Sequence, residues 1–253
     1  MLPRMAGRRC GLPVAALPLR RCFRALVVEE PGGGASRRRL AEYASTSELL
    51  MTESSRSRSQ VMEPPDVELE VLYSTLNYKD AMVVEGRCGV TAGFPIVPGI
   101  DLAGRVVRSG SAHFQRGDEV VVTGQKLGQH VDGAFSERLF LPAGWLIARP
   151  AAFTLPETMA IGSAGVTAMM CVMHLEQAAG LRPGDGEVVV TGAGGGLGSI
   201  AVAILAKLGH TVVASTGRAT ELEGYLRDLG ASRVIGRLDQ VHIAQHAANH
   251  TAA

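Results

Sequence analysis

The sequence has few of the residues that mark several protein classes. It carries four cysteines in 253 residues, with no CxxC pair, which argues against a disulfide scaffold and a cysteine zinc site. Aromatic residues make up 4% and the formal net charge is +1, which disfavours nucleic acid as a partner. No apolar run approaches the 18 residues that span a bilayer, so no membrane partner is expected. This balance favours a small-molecule ligand.

Both ends of the chain differ in composition from its middle. The first 28 residues contain six arginines and no acid before Glu29, the charge bias of a mitochondrial transit segment. Residues 1–22 are therefore interpreted as a basic leader and the location as mitochondrial, with a plain disordered leader and a cytoplasmic protein as alternatives. Residues 238–253 form an irregular tail without a strand pattern.

Residues 23–155 predict a first domain built mostly of β-strands. Phe23–Glu29 is a short apolar run typical of a strand, and from Asp66 apolar residues alternate with polar ones. Residues 31–62 carry seven serines and five arginines, a composition that predicts a mobile, disordered loop. Further strands are predicted at Ile100–Val107, Asp118–Thr123 and Ala134–Leu141.

Residues 156–237 predict a second domain of alternating strands and helices. A helix over Pro156–Gln177, weakened at Gly162–Gly165, precedes Glu187–Thr191, an apolar run typical of a parallel strand buried on both faces. The pattern then predicts a strand at Thr211–Ser215, a helix near Thr220–Leu229 and a strand at Arg233–Ile235. A doubly wound dinucleotide domain has six strands, so about half of it is expected to be absent.

A glycine-rich turn lies between the strand at Glu187–Thr191 and the helix that follows. Its sequence, Gly192-Ala193-Gly194-Gly195-Gly196-Leu197-Gly198, fits a dinucleotide fingerprint because strand, turn, helix and second strand come in the required order. Gly194 and Gly195 let the backbone approach a pyrophosphate, and Gly198 allows close packing of helix on strand. The predicted cofactor-binding residues here are Gly194, Gly195, Gly196, Leu197 and Gly198.

The end of the second strand decides the choice of cofactor. An NAD site has a carboxylate there, whereas this chain has Ser215, Thr216, Gly217 and Arg218. Two hydroxyls and a guanidinium suit a 2′-phosphate, so NADPH is the expected cofactor. The alternative is that Arg218 merely solvates the start of a helix.

Three motifs carry a family resemblance: Ser74–Asp80, Pro95–Gly104 and Ile161–Met169. They resemble the acrylyl-CoA reductase branch of the zinc-free, quinone oxidoreductase-like medium-chain dehydrogenase/reductase superfamily, and the resemblance runs from about Phe23 to about Ile235. It implies an α/β fold with a GroES-like β domain followed by a partial Rossmann domain. It also implies a homodimer where the fold is complete.

The resemblance implies a reaction and residues that take part in it. The activity would be NADPH-dependent reduction of an α,β-unsaturated acyl-CoA, such as acrylyl-CoA, to the saturated thioester by hydride transfer. The motif match places Tyr78 at the nicotinamide end, in both a cofactor-binding and a catalytic role. Asn77 and Asp80 would orient the substrate or relay a proton. The structural alternatives are a turn cap for Asn77, a core position for Tyr78 and a helix cap for Asp80.

Two further expectations concern metal and competing functions. Zinc-bearing relatives carry a Gly-His-Glu signature where this chain has Gly99-Ile100-Asp101, so no metal site is expected. The predicted partner is a small enoyl-CoA molecule. The competing hypotheses are an NADPH:quinone reductase and a non-catalytic, truncated product that keeps the phosphate-binding turn.

Overall fold

The computed structural model describes residues 23–29, 36–43, 64–87 and 89–238. The basic leader at 1–22 and the tail from residue 239 lie outside the described residues, as does most of the segment 31–62. The described chain forms two antiparallel sheets and one parallel sheet, in that order along the sequence. The α/β fold class predicted from the sequence is confirmed.

The described chain contains ten strands and four α-helices. The strands are β1 Phe23–Val28, β2 Arg38–Tyr43, β3 Val67–Ser74, β4 Asp101–Ser109, β5 Glu119–Thr123, β6 Arg138–Leu141, β7 Ile147–Ala148, β8 Glu187–Thr191, β9 Thr211–Ser215 and β10 Arg233–Ile235. The helices are α1 Tyr78–Val84, α2 Leu155–Gln177, α3 Gly196–Lys207 and α4 Ala219–Asp228.

The first domain is organised around a five-stranded antiparallel sheet in the order β6-β3-β4-β5-β7. Alternate residues of its strands point into one core, as a period of two requires: Val67 and Leu69 of β3 and Leu102 of β4 are fully buried. The hairpin of β1 and β2 closes on this core through Phe23 and Ala25. A compact β domain results, in which the end of β3 and the start of β4 lie beside α1.

The segment 31–62 is more ordered at Arg38–Tyr43 than its composition predicts. These residues form β2, which pairs antiparallel with β1 from Phe23↔Tyr43 to Val28↔Arg38. The expectation of a mobile loop is therefore wrong for this stretch. The physical reason is burial, because Ala41 enters the core and the Tyr43 ring stacks on Phe23 with centroids 5.5 Å apart.

Helix α2 connects the two domains. Its start is fixed by a capping box, in which the Glu157 N–H donates to Thr154 Oγ1 and the Thr154 N–H donates to the Glu157 carboxylate. Leu155 packs with residues of β4 and β5, whereas Val172 belongs to the core of the second domain. The helix is kinked at Gly162, where φ is +48°, as the weak point in the sequence predicted.

Helix α2 contradicts the prediction that no apolar run approaches the length that spans a bilayer. An 18-residue window of Leu155–Gln177 has a mean hydropathy of 1.4, so this helix is long and apolar enough to cross a membrane. The prediction that no such run exists is therefore wrong. A helix that packs in two cores has the same length and apolar composition.

The second domain contains a parallel sheet in the order β10-β9-β8, crossed over by α3 and α4. Strand β9 is central, and its Val212, Val213 and Ala214 are fully buried. Strand β8 is not buried on both faces as predicted: Val188 and Val190 face the core, but Val189 is 38% exposed. The reason is that β8 is an edge strand of the described sheet and the described helices cover one of its faces.

Candidate cofactor site and its carboxylate network

The glycine-rich turn joins the end of β8 to the start of α3. Gly192 adopts a left-handed conformation with φ of +62°, which lets the chain leave the strand and reverse. Gly195 is the N-cap of α3, and the first-turn N–H groups of the helix lack partners within the helix. No acidic side chain lies in that first turn. The turn therefore offers donors and a helix N-terminus to an anion.

Gly198 brings α3 close to β8. A Cβ atom at Gly198 would lie 2.4 Å from the carbonyl oxygen of Gly192 and 2.8 Å from Cα of Ala193. Both neighbours are backbone, so neither can move without shifting the turn. The absence of a side chain at this position is what allows the helix to begin directly over the strand.

A cavity of about 430 Å³ opens between the glycine turn and the end of β9. Its lining residues come from the ends of β8, β9 and β10: Thr191, Gly192, Gly194, Gly195, Ser215, Thr216, Gly217, Arg218, Arg237 and Leu238. The structure thus brings most of the predicted cofactor residues together. The predicted residues Gly196, Leu197 and Gly198 instead form the first turn of α3 and do not line the cavity.

Arg218 lies across the glycine turn. Its Nη2 is 3.4 Å from the carbonyl oxygen of Gly194, and its Nη1 is 3.4 Å from Glu221. Both contacts are long and Arg218 is exposed, so its guanidinium is held weakly and can turn to a ligand. The cavity lining contains no carboxylate, which agrees with a site for a phosphorylated ribose.

The two hydroxyls at the end of β9 have different surroundings. Ser215 is buried and its Oγ donates to the carbonyl oxygen of Gly236 at 2.9 Å, so its proton is already used. Thr216 Oγ1 accepts from the Arg218 N–H at 3.3 Å and keeps its own proton for a ligand. Ser215 lines the cavity and also supports the neighbouring strand, so its predicted role in binding the cofactor stays a prediction.

Asn77, Tyr78 and Asp80 lie together at the start of α1. Asn77 is the N-cap of the helix, and Tyr78 is 72% exposed, so it is not a core residue. Asp80 is buried, and its carboxylate accepts from the backbone N–H groups of Asn77 at 2.8 Å and Ile100 at 3.0 Å. Burial raises the pKa of Asp80, and the N–H donors oppose that rise. These bonds suit Asp80 to anchoring the helix start.

A second buried carboxylate, Asp101, connects α1 to α2. Its Oδ2 accepts from Thr75 Oγ1 at 2.8 Å, from Asn77 Nδ2 at 3.0 Å and from the Ser163 N–H at 2.9 Å. The Ser163 hydroxyl donates to its Oδ1. Asp101 has no solvent exposure. It therefore fixes the Asn77 amide and the kink of α2 at Gly162 in one arrangement.

Helix α2 continues this arrangement to the glycine turn. A Cβ atom at Gly196 would lie 3.9 Å from Cβ of Ala164, the residue after Ser163. A Cβ atom at Gly165 would lie 3.6 Å from the side chain of Ile200 on α3. Helix α2 thus connects Ser163, which donates to Asp101, with the start of α3. The residues that line the cavity all come from the second domain, and Asn77, Tyr78 and Asp80 do not line it.

Two residues of this region, Asp101 and Arg237, were not predicted from the sequence to belong to the site. Asp101 stood out as a departure from a zinc signature, but a carboxylate inside an apolar strand also signals a buried hydrogen-bond centre. Arg237 follows β10, and the carboxyl ends of neighbouring parallel strands meet at the same edge of a sheet. That rule would have placed Arg237 beside Arg218.

Comparison with known proteins identifies the fold and the relatives. Residues 63–151 match the alcohol dehydrogenase GroES-like domain. The probable acrylyl-CoA reductase AcuI of Escherichia coli is 49% identical over 172 residues, which are 68% of this chain and 52% of that protein. The crystal structure of the yhdH oxidoreductase from Salmonella enterica in complex with NADP has a TM-score of 0.74 at 42% identity, covering 85% of this chain and 61% of that one.

The chain is similar in sequence and fold to acrylyl-CoA reductases and quinone oxidoreductase-like proteins of the medium-chain dehydrogenase/reductase superfamily. A second relative is the putative quinone oxidoreductase YhfP of Bacillus subtilis, which is 46% identical over 173 residues, 68% of this chain and 52% of YhfP. The crystal structure of YhfP with NAD bound has a TM-score of 0.74 at 39% identity, over 85% of this chain and 60% of that one. The predicted resemblance to the acrylyl-CoA reductases is confirmed.

Two facts bear on how far this similarity extends. The chain spans about half the length of the curated medium-chain relatives described above. Within residues 23–29, 36–43, 64–87 and 89–238, no group of three or more His, Cys, Asp or Glu side chains could hold a metal ion. The expectation of a zinc-free protein stays a prediction.

Proposed function

We propose that this chain is part of an NADPH-dependent reductase that acts on α,β-unsaturated acyl-CoA thioesters. The observation that carries the proposal is the cavity between the glycine turn and Arg218, which offers N–H donors and guanidinium groups and contains no carboxylate. The 49% identity to the probable acrylyl-CoA reductase of Escherichia coli supports this substrate class.

The residues of the chain would bind the cofactor and position the substrate. The glycine turn and the N-terminus of α3 would take the pyrophosphate, and Arg218 with Thr216 would take the 2′-phosphate. When bound, NADPH supplies a hydride to the β-carbon of the substrate, and a proton completes the saturated product at the α-carbon. The balance of that reaction requires a proton donor near the α-carbon.

The helix start at Asn77 is the proposed substrate side of the site. Asn77 uses both amide hydrogens on Thr75 and Asp101, so it would orient the substrate indirectly, by fixing the helix start and the neighbouring Tyr78. Tyr78 is exposed beside it, and its hydroxyl lies 3.5 Å from Nη1 of Arg87. A phenol beside a guanidinium suits Tyr78 to contact the cofactor or the anionic part of a CoA ester. The Asp80 carboxylate is buried, so Asp80 would act indirectly, by positioning Asn77 and Tyr78.

The experiment is a turnover assay of the purified chain with NADPH and acrylyl-CoA, in which cofactor consumption and propionyl-CoA are both measured. We expect stoichiometric formation of the saturated thioester. A quinone is the second substrate to assay, because the relative YhfP is described as a putative quinone oxidoreductase. Consumption with a quinone alone would replace the substrate class, and no consumption with either substrate would refute a reductase activity of this chain.

A further inference from the structure

Arg237 lines the same cavity as Arg218 but follows a different strand. It follows β10, and it lines the cavity opposite the glycine turn. Within the described part of the chain its guanidinium makes no hydrogen bond or ion pair. A guanidinium at a cavity without a carboxylate partner is a strong candidate for binding an anion.

The guanidinium of Arg237 lies beside Gly217. A Cβ atom at Gly217 would lie 3.4 Å from Nη2, 3.7 Å from Nε and 3.8 Å from Cζ of Arg237. These distances are ordinary van der Waals contacts, so the guanidinium lies directly beside residue 217, the residue before Arg218.

The backbone around Arg237 is fixed by β9. Ile235 pairs with Ser215, and the Thr216 N–H donates to the Ile235 carbonyl oxygen at 3.1 Å. The Ser215 hydroxyl donates to the Gly236 carbonyl oxygen at 2.9 Å. These bonds hold the residue before Arg237 at the edge of the cavity, so the arginine is placed there by contacts of its neighbouring backbone.

We propose that Arg237 is a specificity-determining residue for NADPH, which together with Arg218 encloses the 2′-phosphate across Gly217. This inference rests on the proposed cofactor site. Arg218 and Arg237 present two forked donors to one dianion, and Thr216 adds a hydroxyl. NADH lacks the phosphate, so it gains nothing from the second guanidinium.

The test measures dissociation constants of NADPH and NADH for the full chain and for Arg237→Ala. We expect the NADPH constant to rise ~10- to 100-fold, the loss expected for a charged hydrogen bond, and the NADH constant to change less than about twofold. Arg233→Ala is the matched control, because this exposed arginine of the same strand pairs with Glu187 at 2.7 Å outside the cavity. It should leave both constants unchanged.

The fragments 2′,5′-ADP and 5′-AMP refine this test. Arg237→Ala should weaken 2′,5′-ADP and spare 5′-AMP, and Arg237→Lys should show an intermediate loss for 2′,5′-ADP because the charge remains without the fork. Arg237→Lys decides the question if Arg237→Ala does not fold. Equal losses for both cofactors, or no loss for NADPH, would overturn the role of Arg237.

The same titration separates this inference from the function on which it rests. A wild-type chain that binds NADPH no more tightly than NADH would refute the proposed cofactor and, with it, the inference. A wild-type chain that prefers NADPH, in which Arg237→Ala retains the full preference, would refute the inference alone.

Discussion

The amide nitrogen of Asn77 lies 3.0 Å from the buried carboxylate of Asp101. The same nitrogen donates to Thr75 Oγ1 at 2.6 Å, so both amide hydrogens are used. The orientation of the Asn77 side chain is therefore fixed by residues of β4 and of the loop before α1. Because Asp101 also receives the Ser163 N–H, the same carboxylate fixes the kink of α2.

Asp101→Asn should destabilise the chain. The substituted amide has one oxygen acceptor where the carboxylate had two. Its two N–H donors would face groups that also donate, so at least one buried hydrogen bond is lost. We expect this loss to lower the unfolding free energy by about 1–3 kcal/mol. Chemical denaturation measures this loss. Asp118→Asn is the control, because Asp118 accepts one N–H from Gln115 in an exposed turn. Equal stability losses in the two variants would contradict a hub role for Asp101.

Gly198→Ala should disrupt the turn, because its Cβ would lie 2.4 Å from the Gly192 carbonyl oxygen. The neighbouring atoms belong to the backbone, so they cannot move away from the added Cβ without shifting the turn. We therefore expect a lower melting temperature and loss of NADPH binding. Gly224→Ala in α4 is the matched control. A Cβ atom there has no neighbour within 4 Å, and alanine favours a helix by up to about 1 kcal/mol. A wild-type melting temperature in Gly198→Ala would disprove the close packing.

Gly195→Val should abolish NADPH binding and leave the protein folded. Gly195 has φ of −93°, which a side chain tolerates, and its Cβ would lie 3.3 Å from the nearest atom, the Gly192 carbonyl oxygen. The added side chain would occupy the cavity where the pyrophosphate is expected. We expect a folded protein by circular dichroism with no measurable NADPH binding. Tight NADPH binding by this variant would contradict the fingerprint interpretation.

Asp80 should make stability depend on pH. Burial raises its folded-state pKa above the value of about 3.9 in an unfolded chain, so the folded state retains a proton over an interval in which the unfolded state has lost it. The resulting stability is complete below the unfolded pKa and is lost as pH rises through the folded pKa. The unfolding free energy of wild type relative to Asp80→Asn should therefore fall as pH rises from about 4. A flat or rising difference would contradict a raised pKa.

The elements with strong local patterns could be predicted from the sequence. Strand β8, the glycine turn and α3 follow from a β-branched run, a glycine motif and a helix pattern, and Arg233–Ile235 was predicted with its observed bounds. The kink at Gly162 also follows from sequence, because a glycine inside a helix marks a weak point. Each of these signals is local, so it needs no knowledge of tertiary contacts.

The remaining features depend on tertiary contacts. Strand β2 has a polar, arginine-rich sequence, and it is a strand because Tyr43 stacks on Phe23 and Ala41 enters the core. The composition predicts disorder there because these two contacts are invisible in a window of sequence. The hydrogen bond that the Ser215 hydroxyl donates to Gly236 likewise depends on a tertiary contact, the pairing of β9 with β10, and could not be predicted from the sequence.

The most direct test of the account is a parallel titration of the chain and of Arg218→Ala with NADPH and NADH. Loss of a guanidinium contact to phosphate is expected to cost about 1.5–3 kcal/mol, a factor of ~10 to 100 in affinity. The account predicts that wild type prefers NADPH by at least that factor, and that Arg218→Ala loses NADPH affinity while its NADH affinity stays unchanged. Equal affinity of wild type for the two cofactors, or equal losses for both in Arg218→Ala, would contradict it.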